Sequence, residues 1–190
     1  YSVLLLDYRG YGRSDGEPAL PAVLQDIEAG MEWVLERAPK GTPVFMLAQS
    51  LGASMSSYVL ATHTDWQLQL KGAIFDAAFS DYADMVQDVA SRSWITWIMQ
   101  WPSRALVENG FAPRNVAHQL LHPPVLYFHS IDDAIVPHRF GVEFYDAIAA
   151  PKCFKSTHGP HIATFFQPDN RALLLDFLND PAMFVTACVP

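Results

Sequence analysis

The sequence predicts an α/β fold, a mostly parallel sheet flanked by helices, and three observations carry that prediction. Short apolar runs alternate with longer segments of helical period. The runs are continuous rather than alternating apolar and polar, as strands buried on both faces require. Several of them end in polar residues of chemical interest, Ser50, Asp76, Asp132-Asp133 and His158, and ligands bind at the carboxyl ends of strands in open α/β sheets.

Val3–Asp7, VLLLD, reads as the first buried strand. Tyr8–Pro18 follows with three glycines and a proline, a structured loop; it lacks the Lys-Ser/Thr of a phosphate-binding loop. Leu20–Arg37 reads as a helix, with Pro21 in its first turn and Val23, Leu24, Ile27, Met31, Val34 and Leu35 as its apolar stripe. Val44–Ala48 is a second strand, and Ala53–Ala61 a helix of small and apolar residues. Lys71–Asp76, Pro124–Ser130 and Lys152–Thr157 are further strands; Arg139–Ala149 and a segment beginning near Pro168 and ending at Asn179 are helices. Pro181–Pro190 has no clear period. Between Phe79 and Pro123 large apolar residues cluster, among them Trp94, Trp97, Trp101 and Phe111, broken by Pro102 and Pro113. That composition fits short helices forming a lid over the sheet edge, and equally a bulky satellite core. One domain, residues 1–190 with the lid at about 79–123, is the expected organisation.

Composition narrows the function. Of 190 residues 51% are hydrophobic and 17% charged, enough for a sizeable core. A formal net charge of −8 without a basic patch argues against nucleic acid and anionic membrane surfaces. No transmembrane-length apolar run is present. The two cysteines, Cys153 and Cys188, have no metal-ligand spacing and are too few for a disulfide framework, so a reducing, cytoplasmic setting is the default, with an upstream leader or anchor left open. No cofactor or metal is expected: His129, His158 and His161 lack the H-E-x-x-H or cysteine context of zinc sites. Oligomeric state is not legible.

The chemistry centres on Ala48-Gln49-Ser50-Leu51-Gly52, which has the strand–turn–helix context of a nucleophile elbow, G-x-S-x-G, with alanine for the first glycine. Such a turn raises the serine Oγ clear of the sheet and needs small residues on either side, where strand and helix pass closely. It also aims the Leu51 amide and the helix N-terminus at the space beside Oγ, as an oxyanion donor. The plain alternative is a serine capping an ordinary strand–helix connection. An acidic pair, Asp132-Asp133, ends a later strand and His158 ends the last one. In a parallel sheet these ends face the same way, and Ser…Asp…His is a known triad order.

At this point the sequence resembles the α/β-hydrolase superfamily, in particular its small esterase, lipase and serine-aminopeptidase-like members. DYRGYGRSDGEP at Asp7–Pro18 resembles the family's D-x-R-G-x-G-x-S loop, and AQSLG its elbow. HSIDDAIVP at His129–Pro137 resembles H-G-x-x-D-x-x-V-P with Ser130 for glycine, which selects Asp133 as the acid. THGPHI at Thr157–Ile162 resembles G-H-x-P-x-x with Thr157 for glycine, which selects His158 as the base. The resemblance implies a Ser50–Asp133–His158 triad that cleaves the acyl bond of a small-molecule ester, thioester or amide through an acyl-enzyme, with Leu51 in the oxyanion hole and Trp94, Trp97 and Trp101 lining an apolar acyl site. Asp132 reads as a turn cap and Asp76 as an alternative acid; His161, three residues after His158, is open to being mistaken for the base but reads as a pocket or packing residue at a helix entry, and His129 as a structural histidine. The family also places strands ahead of the D-x-R-G loop, one of them between the Val3 and Val44 strands and carrying a second oxyanion amide. The expectation is therefore an active full-length hydrolase and a weakly active isolated piece. A serine aminopeptidase, with Glu108 or Asp84 receiving the substrate amino group, and a non-catalytic binding relative are the competing functions.

Overall fold

A computed structural model describes residues 1–92 and 107–188. The chain forms two compact units, Tyr1–Val44 and Phe45–Pro190.

In the first unit the loop of residues 8–18 leads to helix α1, Leu20–Arg37, with Pro21 in its first turn as the sequence predicts. Val23, Leu24 and Ile27 are buried. Arg9 ties the loop to α1 through its backbone N–H and guanidinium, which both donate to Asp26, with Arg9 Nη2 2.6 Å from Oδ1. That pairing holds the Asp26 carboxyl below the usual carboxylate range, against a smaller upward push from burial. The expectation of a buried strand at Val3–Asp7 is corrected. The segment forms no strand and joins no ladder among the described residues, and Val3 and Leu5 are 76% and 88% exposed. An apolar run signals a demand for burial; a strand also needs a neighbour to receive its backbone N–H and C=O groups.

The second unit is built on a four-stranded sheet of order β1-β2-β3-β4: β1 Val44–Gln49, β2 Leu70–Asp76, β3 Val125–Ser130 and β4 Lys152–Thr157. β2 and β3 are parallel with Asp76 opposite Phe128, and β3 and β4 are parallel with Ser130 opposite Thr157. Between the strands lie α2, Ser50–Thr62, and α3, Thr64–Gln69, then α4, Tyr82–Ser91, and α5, His138–Ala147. After β4 come α6, Pro168–Asn179, and α7, Pro181–Thr186. The tail without a clear period is thus partly helical. The Thr64–Gln69 helix was not foreseen; its Gln67 is buried and donates to the Leu60, Ala61 and Gln119 carbonyls while accepting from the Leu121 and His122 amides.

Strand alternation sorts the core into two layers. Ile74, Leu126, Phe128 and Cys153 face Phe177 of α6, with Phe184 and Val185 of α7 packed against them. Phe75 and Tyr127 point the other way and meet Phe144 of α5, at ring-centroid distances of 6.2 and 5.9 Å. Gly141 of α5 is dictated by this packing, since a Cβ there would fall 2.0 Å from Nδ1 of the buried His129.

The two cysteines are joined. Cys153, buried in β4, is bonded to Cys188, just past α7, with the Cα atoms 5.7 Å apart. A bond across 35 residues is set by tertiary packing, which a cysteine count does not reveal. Disulfides persist in oxidising surroundings, so the ground for a reducing default is removed.

In the 79–123 segment, expected as a lid or a satellite core, the described residues form α4 and the short 3-10 turns Pro113–Asn115 and Ala117–Gln119. Asp81 knits their bases together: it caps α4 by accepting from the Asp84 amide, and its other oxygen receives Asn109 Nδ2 and Arg114 Nε, each at 2.7 Å. Trp94, Trp97 and Trp101 lie outside the described residues.

Candidate active site

The strand ends converge as a parallel sheet requires, and the nucleophile turn is strained where the elbow reading demands it. Ser50 directly follows β1 and opens α2 with φ 53°, a left-handed conformation unusual for a residue other than glycine. Ala48 and Gly52, the small residues of the pentapeptide, flank it.

Two imidazole–carboxylate pairs stand beside one another. In the first, His161 Nε2 lies 2.7 Å from Ser50 Oγ and its Nδ1 lies 2.7 Å from Asp133 Oδ2. In the second, His158 Nδ1 lies 3.1 Å from Asp132 Oδ2, which also accepts from the Gly159 amide at 3.1 Å. The expectation that His158 faces Ser50 is therefore corrected: the histidine within reach of Ser50 is His161. Burial separates the pairs as well. The side chains of His158 and Asp132 are 72% and 55% exposed, whereas those of His161 and Asp133 are 16% and 0% exposed. The turn through Gly159, at φ 107°, and Pro160 carries the chain from the solvent-facing imidazole to the inward one.

Asp133 is held where the H-G-x-x-D-x-x-V-P resemblance put it. Its Oδ1 accepts from the amides of Ile135 and Val136, at 2.8 and 2.9 Å. Burial pushes its carboxyl up, but the hydrogen bond from His161 and the two amides outweigh this and bring it below the ordinary carboxylate value. Asp133 thus presents an acceptor to Nδ1–H of His161, whose Nε2 faces Ser50 Oγ. His129 is structural: it is buried, and its Nε2 donates to the Val136 carbonyl at 2.9 Å, fixing the loop that presents Asp133. Burial lowers its pKa, with the Val136 bond acting the other way.

The second pair fastens the acid loop to the histidine loop. Ser130 Oγ donates to the Gly159 carbonyl at 2.5 Å and accepts from the Asp132 amide, and Ile131 N donates to the Thr157 carbonyl. The Gly159 amide, and secondarily His158, lower the Asp132 pKa. Ser130, a departure from the family's glycine, is therefore a strut between the loops.

Asp76, the rival acid, does not reach the imidazole with a hydrogen bond. Its carboxylate accepts from Gln49 Nε2 and Thr164 Oγ1 instead. Asp84, a candidate for the amino-group subsite, already faces Arg114 Nη1 at 3.3 Å. Among the described residues no three His, Cys, Asp or Glu side chains are grouped as ligands of one metal ion, and no helix is long and apolar enough to cross a membrane.

The family model for serine aminopeptidase, S33, matches residues 1–122. The lysophosphatidylserine lipase ABHD12 of Danio rerio is 25% identical over 199 residues, covering 95% of this chain and 51% of its own. The chain thus spans about half the length of that curated relative. Among solved structures, the Pyrococcus furiosus esterase Pf2001 superposes with a TM-score of 0.68 at 18% identity, over 91% of this chain and 66% of that one. An acylaminoacyl peptidase from Pyrococcus horikoshii gives 0.63 at 20% identity, over 83% and 27%. These likenesses agree on the fold.

Proposed function

Because the chain belongs to the serine aminopeptidase S33 family, we propose that it carries the catalytic core of a serine hydrolase that cleaves a carboxylic ester or thioester, with Ser50 as nucleophile, His161 as general base and acid, and Asp133 as the orienting carboxylate. The observation that carries this reading is the continuous chain Ser50 Oγ–His161–Asp133, 2.7 Å at each link, on a strained turn.

The reaction follows from those contacts. Ser50 Oγ attacks the carbonyl carbon as its proton passes to His161 Nε2, and Asp133 stabilises the imidazolium through Nδ1–H. Charge on the carbonyl oxygen is met by the Leu51 amide at the start of α2; one such donor contributes about 3–4 kcal/mol to barrier lowering. The tetrahedral adduct collapses as Nε2–H protonates the leaving alcohol or thiol, giving an acyl-Ser50 ester. Water then attacks that ester, losing its proton to Nε2, and Ser50 is regenerated.

The aminopeptidase reading keeps the same machinery and adds recognition of a substrate amino group; the family description favours it, while the pairing of Asp84 with Arg114 weakens one of its two candidate anchors. The test is fluorophosphonate labelling of the intact protein with mass mapping and a Ser50→Ala control, followed by acyl p-nitrophenyl esters beside aminoacyl anilides. Labelling at Ser50 with ester turnover supports the hydrolase. Faster anilide turnover shifts it to a peptidase, and absence of labelling leaves a binding protein.

A further inference from the structure

Among the described residues, three other than glycine adopt left-handed backbone conformations: Ser50, Ala77 and Ile162, each at φ 53°. Each immediately follows a residue of one polar cluster. Ser50 follows Gln49, Ala77 follows Asp76, and Ile162 follows His161. The strain that shapes the site is therefore concentrated at three points, and something must hold all three.

The side chain at their centre is Asp76. It ends β2, is 1% exposed, and has both carboxylate oxygens engaged. Gln49 Nε2 donates to Oδ2 at 2.8 Å and, more weakly, to the Ile162 carbonyl at 3.4 Å. Thr164 Oγ1, itself buried, donates to Oδ1 at 2.9 Å. Thr164 is further fixed by Asn170 of α6, whose Nδ2 donates to the Thr164 carbonyl at 2.9 Å. Ala77, next along, donates its amide to the Phe128 carbonyl of β3 at 2.9 Å.

We infer that Asp76 is a positioning residue: its carboxylate ties Gln49, at the root of the nucleophile turn, to Thr164, at the root of the histidine loop, and so holds Ser50 Oγ and His161 Nε2 at bonding distance. Elbow and histidine loop are far apart in the chain; besides the Ser50–His161 bond, the described side-chain links between them are the two-step tie through Asp76, at 2.8 and 2.9 Å, and the weaker direct bond from Gln49 Nε2 to the Ile162 carbonyl at 3.4 Å. Burial raises the Asp76 carboxyl above its ordinary value, with the Gln49 and Thr164 bonds opposing this. A buried carboxylate is retained here for the direction of its bonds, since a side chain without acceptors would leave the Gln49 and Thr164 donors unmet.

The inference rests on Ser50 and His161 being the reacting pair. Its test is the rate constant of fluorophosphonate labelling at Ser50 in the intact protein, which reports on each folded molecule and not on how many are folded. Asp76→Ala is expected to lower that rate constant roughly ten- to a hundred-fold, the effect of misplacing reacting groups by about an ångström. Asp76→Asn still accepts from Thr164 and pairs with Gln49 through a flipped amide, so it is expected to stay within about three-fold of wild type. If Asp76→Ala yields no folded protein, Gln49→Met with Thr164→Val removes the same two struts and takes its place. An alanine or double-variant rate constant within about two-fold of wild type overturns the inference, whatever the change in melting temperature. So does an asparagine variant as slow as alanine, because the charge and not the hydrogen bonds would then matter. Failure of wild-type Ser50 to label refutes the hydrolase reading itself, a distinct outcome.

Discussion

Replacing each of the two neighbouring histidines is expected to give opposite results. His161→Ala removes the acceptor 2.7 Å from Ser50 Oγ and the donor 2.7 Å from Asp133, leaving an un-ionised serine and a buried carboxylate without its partner. No other imidazole takes its place, since the His158 Nδ1 faces Asp132 and its side chain is largely in solvent. Loss of a triad histidine lowers turnover on the order of 10⁴-fold or more, and 10⁴ corresponds to about 5.5 kcal/mol of barrier. His158→Ala removes only an exposed pair, of the kind that contributes little. The Gly159 amide still meets Asp132, and Ser130 still meets the Gly159 carbonyl. Activity within about three-fold of wild type is expected. The assay is kcat/KM on a p-nitrophenyl ester of short acyl chain, with circular dichroism melts to show that both variants are folded. A His161→Ala enzyme retaining more than about a tenth of wild-type kcat/KM, or a His158→Ala enzyme that loses as much as about a thousand-fold, refutes the assignment.

Three further outcomes are expected. Cys188→Ser opens a 35-residue loop, and loop-closure entropy sets the loss at up to about 4 kcal/mol, read from urea unfolding with and without reductant. Equal stability of the two proteins under oxidising conditions counts against the bond. Gly141→Ala drives a Cβ into His129 and is expected to cost about 1–3 kcal/mol while slowing turnover through the Asp133 loop; an unchanged melting temperature contradicts the packing. The folded-state pKa of Asp76 lies above its ordinary 3.8, so folding favours its protonated form. The stability it contributes is full below that ordinary value and is lost as pH rises through the raised one. Relative to wild type, Asp76→Asn is therefore expected to gain stability as pH rises above the ordinary carboxylate value of 3.8, and a difference between the two urea midpoints that does not change with pH dismisses this.

The frame of the second unit was open to reading because its inner strands, β2 and β3, are short, apolar and almost wholly buried, while the outer strands β1 and β4 are bounded by clear turn residues although only part-buried. Lys152–Thr157 has the predicted bounds, and the other three each differ by one residue at one end. Ser50 was legible from strand, turn and helix together, and Asp133 from its spacing to Val136-Pro137. The histidine was not. Thr157–Ile162 offers two imidazoles three residues apart, beside two adjacent carboxylates, and sequence spacing accommodates either pairing. What decides is the left-handed turn at Gly159, which places His158 outward against Asp132 and His161 inward. Its signal was present in the Gly159-Pro160 dipeptide, a turn between the two candidates, and was outweighed by motif alignment. The polar ties of Asp76 and Gln67 were illegible for a different reason: both connect residues distant in the chain. Val3–Asp7 shows the reverse limit, an apolar run whose partner its own composition does not supply.

The bond between Cys153 and Cys188 also has a topological consequence. It closes a covalent ring that contains His158, His161, Thr164, α6 and α7, with the imidazole proposed as general base inside it. A single proteolytic cut within that ring leaves one molecule, both ends still anchored at β4. A nicked chain would migrate as one species until reduced and then separate into two fragments, and the histidine segment would stay tethered beside its serine after the backbone had been broken.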